Sequence, residues 1–125
     1  MSAKERAATM RGTSPVKTDE KASILVVDDH PIVRQGLADL LDSQDDFFCC
    51  ASAGDLAKAQ EAVVEQRPDL VLLDLRLGQA DGLESIKTLK SRFDNLRIVV
   101  ISQFDESVYA ERALRAGAMG YVMKD

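Results

Sequence analysis

From Ile24 onward, short and nearly unbroken apolar runs alternate with longer amphipathic segments, and this alternation restricts the fold more than any other feature of the chain. The runs are "SILVVD" (23–28), "FFCCASA" (47–53), "DLVLLDL" (69–75), "RIVVIS" (97–102) and "GYVMK" (120–124). Continuous apolar runs of this length suit strands buried on both faces. Between them lie "PIVRQGLADLLDS", "DLAKAQEAVVEQR", "DGLESIKTLKSRF" and "DESVYAERALRAG", which read as helices. Val33, Leu37, Leu40 and Leu41 recur at helical spacing in the first, and Leu83, Ile86, Leu89 and Phe93 in the third. These stripes are expected to be core. Pro31 fits a first helical turn, Pro68 stops the second helix before it, and Gly117 ends the fourth. The resulting (βα)4β pattern predicts an α/β fold, a parallel sheet with helices on both faces.

The length of 125 residues allows one domain with a real core. Residues 1–22 lack hydrophobic periodicity and are expected to be a flexible N-terminal tail, with the domain spanning 23–125. The chain reaches Asp125 directly after the fifth strand, where a fifth helix would normally follow. The last helix is therefore expected to be missing, a truncation after strand five, with something else, such as a second copy, covering that face. A net charge of −5 and a pI near 4.9 argue against direct nucleic-acid binding. No run is long enough to span a membrane, and the N-terminus has no apolar signal region, so a cytoplasmic location is expected. Cys49 and Cys50 are sequence neighbours, which in a strand face opposite ways, so they are expected to be buried reduced thiols. His30, the single histidine, lies beside Pro31 with no partner histidine and reads as a loop residue.

"VLLDLRL" places Asp74 inside an apolar run, where an unpaired charge is costly. In open parallel sheets, ligands sit at the carboxyl ends of the strands. Strand one ends in Asp28-Asp29, strand three reaches Asp74, strand four ends in Ser102 and strand five in Lys124. With strand order 2-1-3-4-5, three carboxylates converge on one crevice. Such a group repels itself unless a hard cation such as Mg2+ or a nearby ammonium intervenes. A site of this kind can accept a phosphoryl group, with Asp74 as nucleophile and the Ser102 hydroxyl and Lys124 on the phosphoryl oxygens. Each residue also has a plainer reading: Asp29 as a helix cap, Asp74 as a paired structural carboxylate, Ser102 as a turn residue, Lys124 as a solvated lysine and Tyr121 as a strand aromatic. Asp74, given its apolar run, favours function even alone; the case as a whole rests on the conjunction at one sheet edge.

At these residues, over about 23–125, the chain resembles the receiver domain of two-component response regulators. The resemblance is carried by "DD" after strand one, the Asp of "LLDLRL", the Ser of "VVISQF", and "GYVMKD" with Tyr121 three positions before Lys124. "VVDDHPIVRQGL" and "RAGAMGYVMKD" resemble the LuxR/NarL-type transcription-factor subfamily. The resemblance implies a flavodoxin-like, doubly wound five-stranded sheet and Asp74 as phosphoacceptor. It also implies Mg2+ held by Asp29, Asp74 and the backbone carbonyl of Arg76, with Asp28 acting through water. Ser102 and Tyr121 would be the switch pair, and Lys124 would bind the phosphoryl group. The implied protein is a switch rather than an enzyme, served by a sensor histidine kinase, dimerising on phosphorylation, and touching DNA only through an effector domain outside this chain. Gly78 stands where the family usually has Pro, so "RLGQADG" is expected to be a looser loop; Arg76 and Phe104 occupy positions that tune phosphoryl lifetime.

Three rival readings meet obstacles. A phosphatase using Asp74 in the manner of haloacid dehalogenases would need a second Asp where Arg76 stands. A flavodoxin-type FMN site needs a phosphate-cradling loop where "DDHPIV" stands. A receiver that never accepts phosphate would be expected to lack one of the matched groups.

Overall fold

A computed structural model of the chain describes residues 21–74, 76–77, 80–102 and 107–123. The elements are β1 (Ala22–Val27), α1 (Pro31–Asp42), β2 (Phe47–Ala53), α2 (Leu56–Gln66), β3 (Leu70–Asp74), β4 (Arg76–Leu77), β5 (Ala80–Asp81), α3 (Gly82–Arg92), β6 (Ile98–Ser102), α4 (Ser107–Ala116) and β7 (Gly120–Met123). Five strands form one sheet in the order β2-β1-β3-β6-β7, with every pairing parallel. With β6 and β7 as the fourth and fifth main strands, this is the expected 2-1-3-4-5 order. The proposed tail over 1–22 falls almost wholly outside the described residues.

The topology follows from handedness. The chain steps from β1 outward to β2, then back across β1 to β3, and onward to β6 and β7. Right-handed crossovers then put α1 on one face and α2, α3 and α4 on the other. Side chains alternate across the strands accordingly. Leu25, Val27, Val71, Leu73, Ile98 and Val100 join Ala59 and Val63 of α2, Ile86 and Leu89 of α3, and Ala113 of α4 in the main core. Each fully buried Leu or Ile here contributes roughly 1.5–3 kcal/mol. At the amino ends of the strands, Asp69 Oδ2 accepts from Ser23 N at 2.8 Å and Ser23 Oγ at 3.2 Å, while Asp69 N donates to Ser23 O at 2.9 Å. That brace sets the register of β1 against β3.

Helix ends follow their local chemistry. Asp55 caps α2 by accepting from Lys58 N at 2.8 Å. Gly117, at φ +122°, ends α4, with its N–H on Leu114 O and that of Ala118 on Ala113 O. α2 ends at Arg67, which takes the left-handed conformation (φ 48°, ψ 60°) just before Pro68. No helix among the described residues is long and apolar enough to cross a membrane.

Three expectations need correction. The α1 stripe is not core: Leu37 and Leu41 are half-buried, Val33 and Leu40 are exposed, and no residue of α1 is fully buried. The helix rests mainly on β2 and β1, so its apolar stripe is wider than the surface that covers it. The segment expected to be a loose loop contains a small antiparallel pair, Arg76 opposite Asp81 and Leu77 opposite Ala80; Gly78 itself lies outside the described residues. The cysteines are free but half-buried rather than buried. The register slips between Ile24 and Leu25, pairing Ile24 with Cys49 and Leu25 with Ala51, so Cys50 is the extra residue of a bulge on the edge strand. Its thiol lies 3.5 Å from Ile24 O, and burial, aided by the adjacent Cys49, pushes its pKa up to about 11.

Two predictions follow from these local features. Left-handed backbone costs a residue with a Cβ about 1–2 kcal/mol, partly offset in glycine by its greater chain entropy of about 0.5–1 kcal/mol. Arg67→Gly should therefore stabilise the fold by about 0.5–1 kcal/mol in urea unfolding, whereas Arg67→Ala should give no such gain. The raised Cys50 pKa favours the protonated thiol in the fold, so reactivity should be suppressed below it. Mass-resolved alkylation at about pH 8 should label Cys50 in urea far faster than in the native protein, with native labelling rising only as pH approaches about 11.

Candidate functional site

The carboxyl edge of the sheet is fixed by strand register. Val27 pairs with Leu73, so the next residues along these parallel strands, Asp28 and Asp74, emerge side by side. Asp74 pairs in turn with Ile101, which brings Ser102 to the same edge. All three are buried: Asp28 is 0%, Asp74 4% and Ser102 1% exposed. Asp29 follows on the loop into α1. Ligating atoms of Asp28, Asp29, His30 and Asp74 all lie within 4.8 Å of one another.

The β1–α1 loop is held from several sides. Asp28 N donates to Ala53 O at 3.0 Å, tying the loop to the end of β2. Asp28 Oδ1 accepts from His30 N at 2.9 Å. Arg34, one turn into α1, donates through a guanidinium nitrogen to Asp28 O at 2.7 Å. That guanidinium passes over Gly54, where a Cβ would come within 2.9 Å of it. Pro31 opens α1, and its N-cap, His30, makes no capping bond with its side chain. Helix capping is therefore not what occupies Asp29. Its Oδ1 is buried yet accepts no hydrogen bond, although His30 Nδ1 stands 3.0 Å away.

Three carboxylates this close repel. Even at 4.8 Å, the upper limit of separation in the group, an effective dielectric near 20 makes a pair of full charges cost about 3.5 kcal/mol. A buried carboxylate oxygen that accepts no hydrogen bond, in a group made mostly of carboxylates, fits a hard divalent cation, whose preferred ligands are carboxylate, carbonyl and water oxygens.

Of the site residues expected from the sequence, Asp28, Asp29 and Asp74 come together and Ser102 shares their edge. Arg76 lies in β4, opposite Asp81. Tyr121 lies in β7, paired with Val100. Lys124 is outside the described residues. Sequence reasoning set His30 aside, yet its Nδ1 stands 3.2 Å from Asp28 Oδ1 as well as near Asp29. Arg34 was not singled out; its signal was its place six residues after Asp28, one helical turn past the loop it clamps.

A family model described as the response regulator receiver domain matches residues 24–125. The chain belongs to that family. This receiver is 38% identical over 102 residues to the DNA-binding transcriptional activator DevR/DosR of Mycobacterium tuberculosis, covering 82% of this chain and 47% of that protein. It is 34% identical over 103 residues to the oxygen regulatory protein NreC of Staphylococcus epidermidis, covering 82% and 47%. The chain thus spans about half the length of these curated relatives. Among solved structures, a LuxR-family two-component response regulator from Aurantimonas sp. superposes with a TM-score of 0.80 at 35% identity, covering 85% of this chain and 76% of that one. The receiver domain of the putative response regulator NarL from M. tuberculosis gives 0.77 at 34% identity, covering 85% and 86%. The receiver is accordingly of the LuxR/NarL kind.

If like-charge repulsion dominates the pocket, removing one charge should stabilise the receiver without metal. Asp29→Asn is expected to raise metal-free stability by about 0.5–2 kcal/mol in urea unfolding, and to abolish the rise in Tm that Mg2+ gives the unaltered receiver. A destabilised, Mg2+-responsive variant would contradict this account.

Proposed function

We propose that this receiver is a phosphorylation-controlled switch in which Asp74 takes a phosphoryl group from a sensor histidine kinase. The observation that carries the reading is the gathering of Asp28, Asp29 and Asp74 within 4.8 Å at the carboxyl edge of the sheet. Asp29 and Asp74, with the Arg76 backbone carbonyl and with Asp28 through water, would hold Mg2+. Bound there, the cation offsets negative charge so that the phosphoryl oxygens can approach.

The chain's own residues supply the rest. An oxygen of Asp74 attacks phosphorus in line, the phosphohistidine P–N bond breaks with its electrons staying on the imidazole, and an aspartyl phosphate remains. Asp28, held by Ala53 O and Arg34, fixes the loop that presents Asp29. The Ser102 hydroxyl and the Lys124 ammonium bind equatorial phosphoryl oxygens. As Ser102 moves toward the new dianion, Tyr121 turns into the space it leaves, altering the face made by α4 and β7.

The output is change in a partner surface rather than catalytic turnover. Homodimerisation on phosphorylation, and control of a DNA-binding helix-turn-helix segment in the parent protein, are the expected consequences. They are supported by relatives that are transcriptional regulators about twice this length. The site of action is the cytoplasm, where kinase phosphohistidine and promoter DNA meet.

Incubation with Mg2+ and acetyl phosphate, followed by intact-mass measurement, tests the reading. The unaltered receiver should gain one phosphoryl group, and neither Asp74→Asn nor the EDTA-treated protein should. Equal gain in Asp74→Asn would reject the assignment.

A further inference from the structure

We infer that the His30 imidazole is a metal ligand in this pocket, so that the receiver takes nitrogen-tolerant divalent transition ions, of which Co2+ and Zn2+ are the test cases, as well as Mg2+. The inference rests on the metal-binding reading above and adds a donor to it. His30 Nδ1 lies 3.0 Å from Asp29 Oδ1 and 3.2 Å from Asp28 Oδ1. Adjacent ligands on one six-coordinate ion, each about 2.1 Å from it, are about 3.0 Å apart. The separation from Asp29 Oδ1 matches an edge of such a polyhedron.

His30 Nδ1 stands within pairing distance of both Asp29 Oδ1 and Asp28 Oδ1, so one ring nitrogen faces two carboxylates at once. Asp29 Oδ1 is buried and accepts no hydrogen bond, even with the imidazole nitrogen 3.0 Å away. An imidazole nitrogen and a carboxylate oxygen this close can be ligated together by one ion that takes the place between them. Asp28 Oδ1 already accepts the His30 backbone N–H. The backbone keeps the ring there: Pro31 begins the helix, His30 is its N-cap at φ −94° and ψ 110°, and its side chain caps nothing. The ring is therefore free to fold back over the carboxylates. With a side chain 65% exposed, it stands at the solvent mouth of a pocket whose other donors, Asp28 and Asp74, are buried. An entering ion meets the imidazole and Asp29 first.

The chemistry of the donor set decides which ions benefit. Mg2+ prefers oxygen and holds its water, so an imidazole adds little to its binding. Ions later in the first transition row accept imidazole readily, and histidine is their commonest protein ligand. The effect of His30 should therefore differ by ion, which a merely structural role would not do.

The test uses the untagged chain, because His30 is its single histidine and any imidazole signal belongs to it. Calorimetric titration compares Co2+, Zn2+ and Mg2+ on the unaltered receiver, His30→Gln and His30→Ala. Proton NMR of the Co2+-loaded protein looks for paramagnetically shifted imidazole resonances. The expected result is shifted ring protons, present only with His30, and Co2+ and Zn2+ binding weakened roughly tenfold in both variants, with Mg2+ binding changed less than about twofold. Absence of the shifted resonances, or equal weakening for all three ions, would overturn the inference. Failure of Mg2+ itself to bind the unaltered receiver would instead overturn the underlying metal reading, so the two failures are distinct.

Discussion

The register of β1 against β3 governs this molecule. Because Val27 faces Leu73, Asp28 and Asp74 leave the sheet at the same level, and the loop into α1 adds Asp29 beside them. Two of those carboxylates are buried, so the arrangement works against the stability that the surrounding core provides. Folding is secured elsewhere: by the apolar faces of β1, β3 and β6 packed on α2 and α3, and by the Ser23–Asp69 brace at the opposite edge. The sheet thus has one end that fixes register and another where that register concentrates charge.

The charged end is supported through its backbone rather than through its carboxylates. Ala53 O and the Arg34 guanidinium hold the backbone of Asp28, and Gly54 leaves the guanidinium room to reach it. Such supports matter because a hard cation tolerates little error in the placement of its oxygens. They also tie the geometry of the site to the end of β2 and the first turn of α1. A change in either would be felt at Asp28 before it was felt in the core.

Most of the architecture was legible in the sequence because its strands are unbroken apolar runs and its helices carry clear stops. "RIVVIS" and "RALRAG" announce β6 and the end of α4 almost to the residue. The acidic convergence was legible too, since topology follows from alternation and the acids stand at successive strand ends. What escaped was set by long-range context. Two-residue strands such as β4 and β5 have no periodicity to detect. The α1 stripe shows which side of the helix is apolar, not how much surface meets it. The bulge at Cys50 depends on how β2 registers against β1. His30 looked isolated because its neighbours in space are carboxylates, one of them contributed by a strand more than forty residues away.

The central claim is that carboxylates brought level by the sheet form one cation site. An amide-resolved NMR titration of the nitrogen-15-labelled receiver with Mg2+ examines it most directly. Saturable shifts confined to the loop after β1, the end of β3 and the end of β6 are predicted. Shifts scattered over the exposed acids of the α1–β2 turn, or no saturation at all, would contradict it.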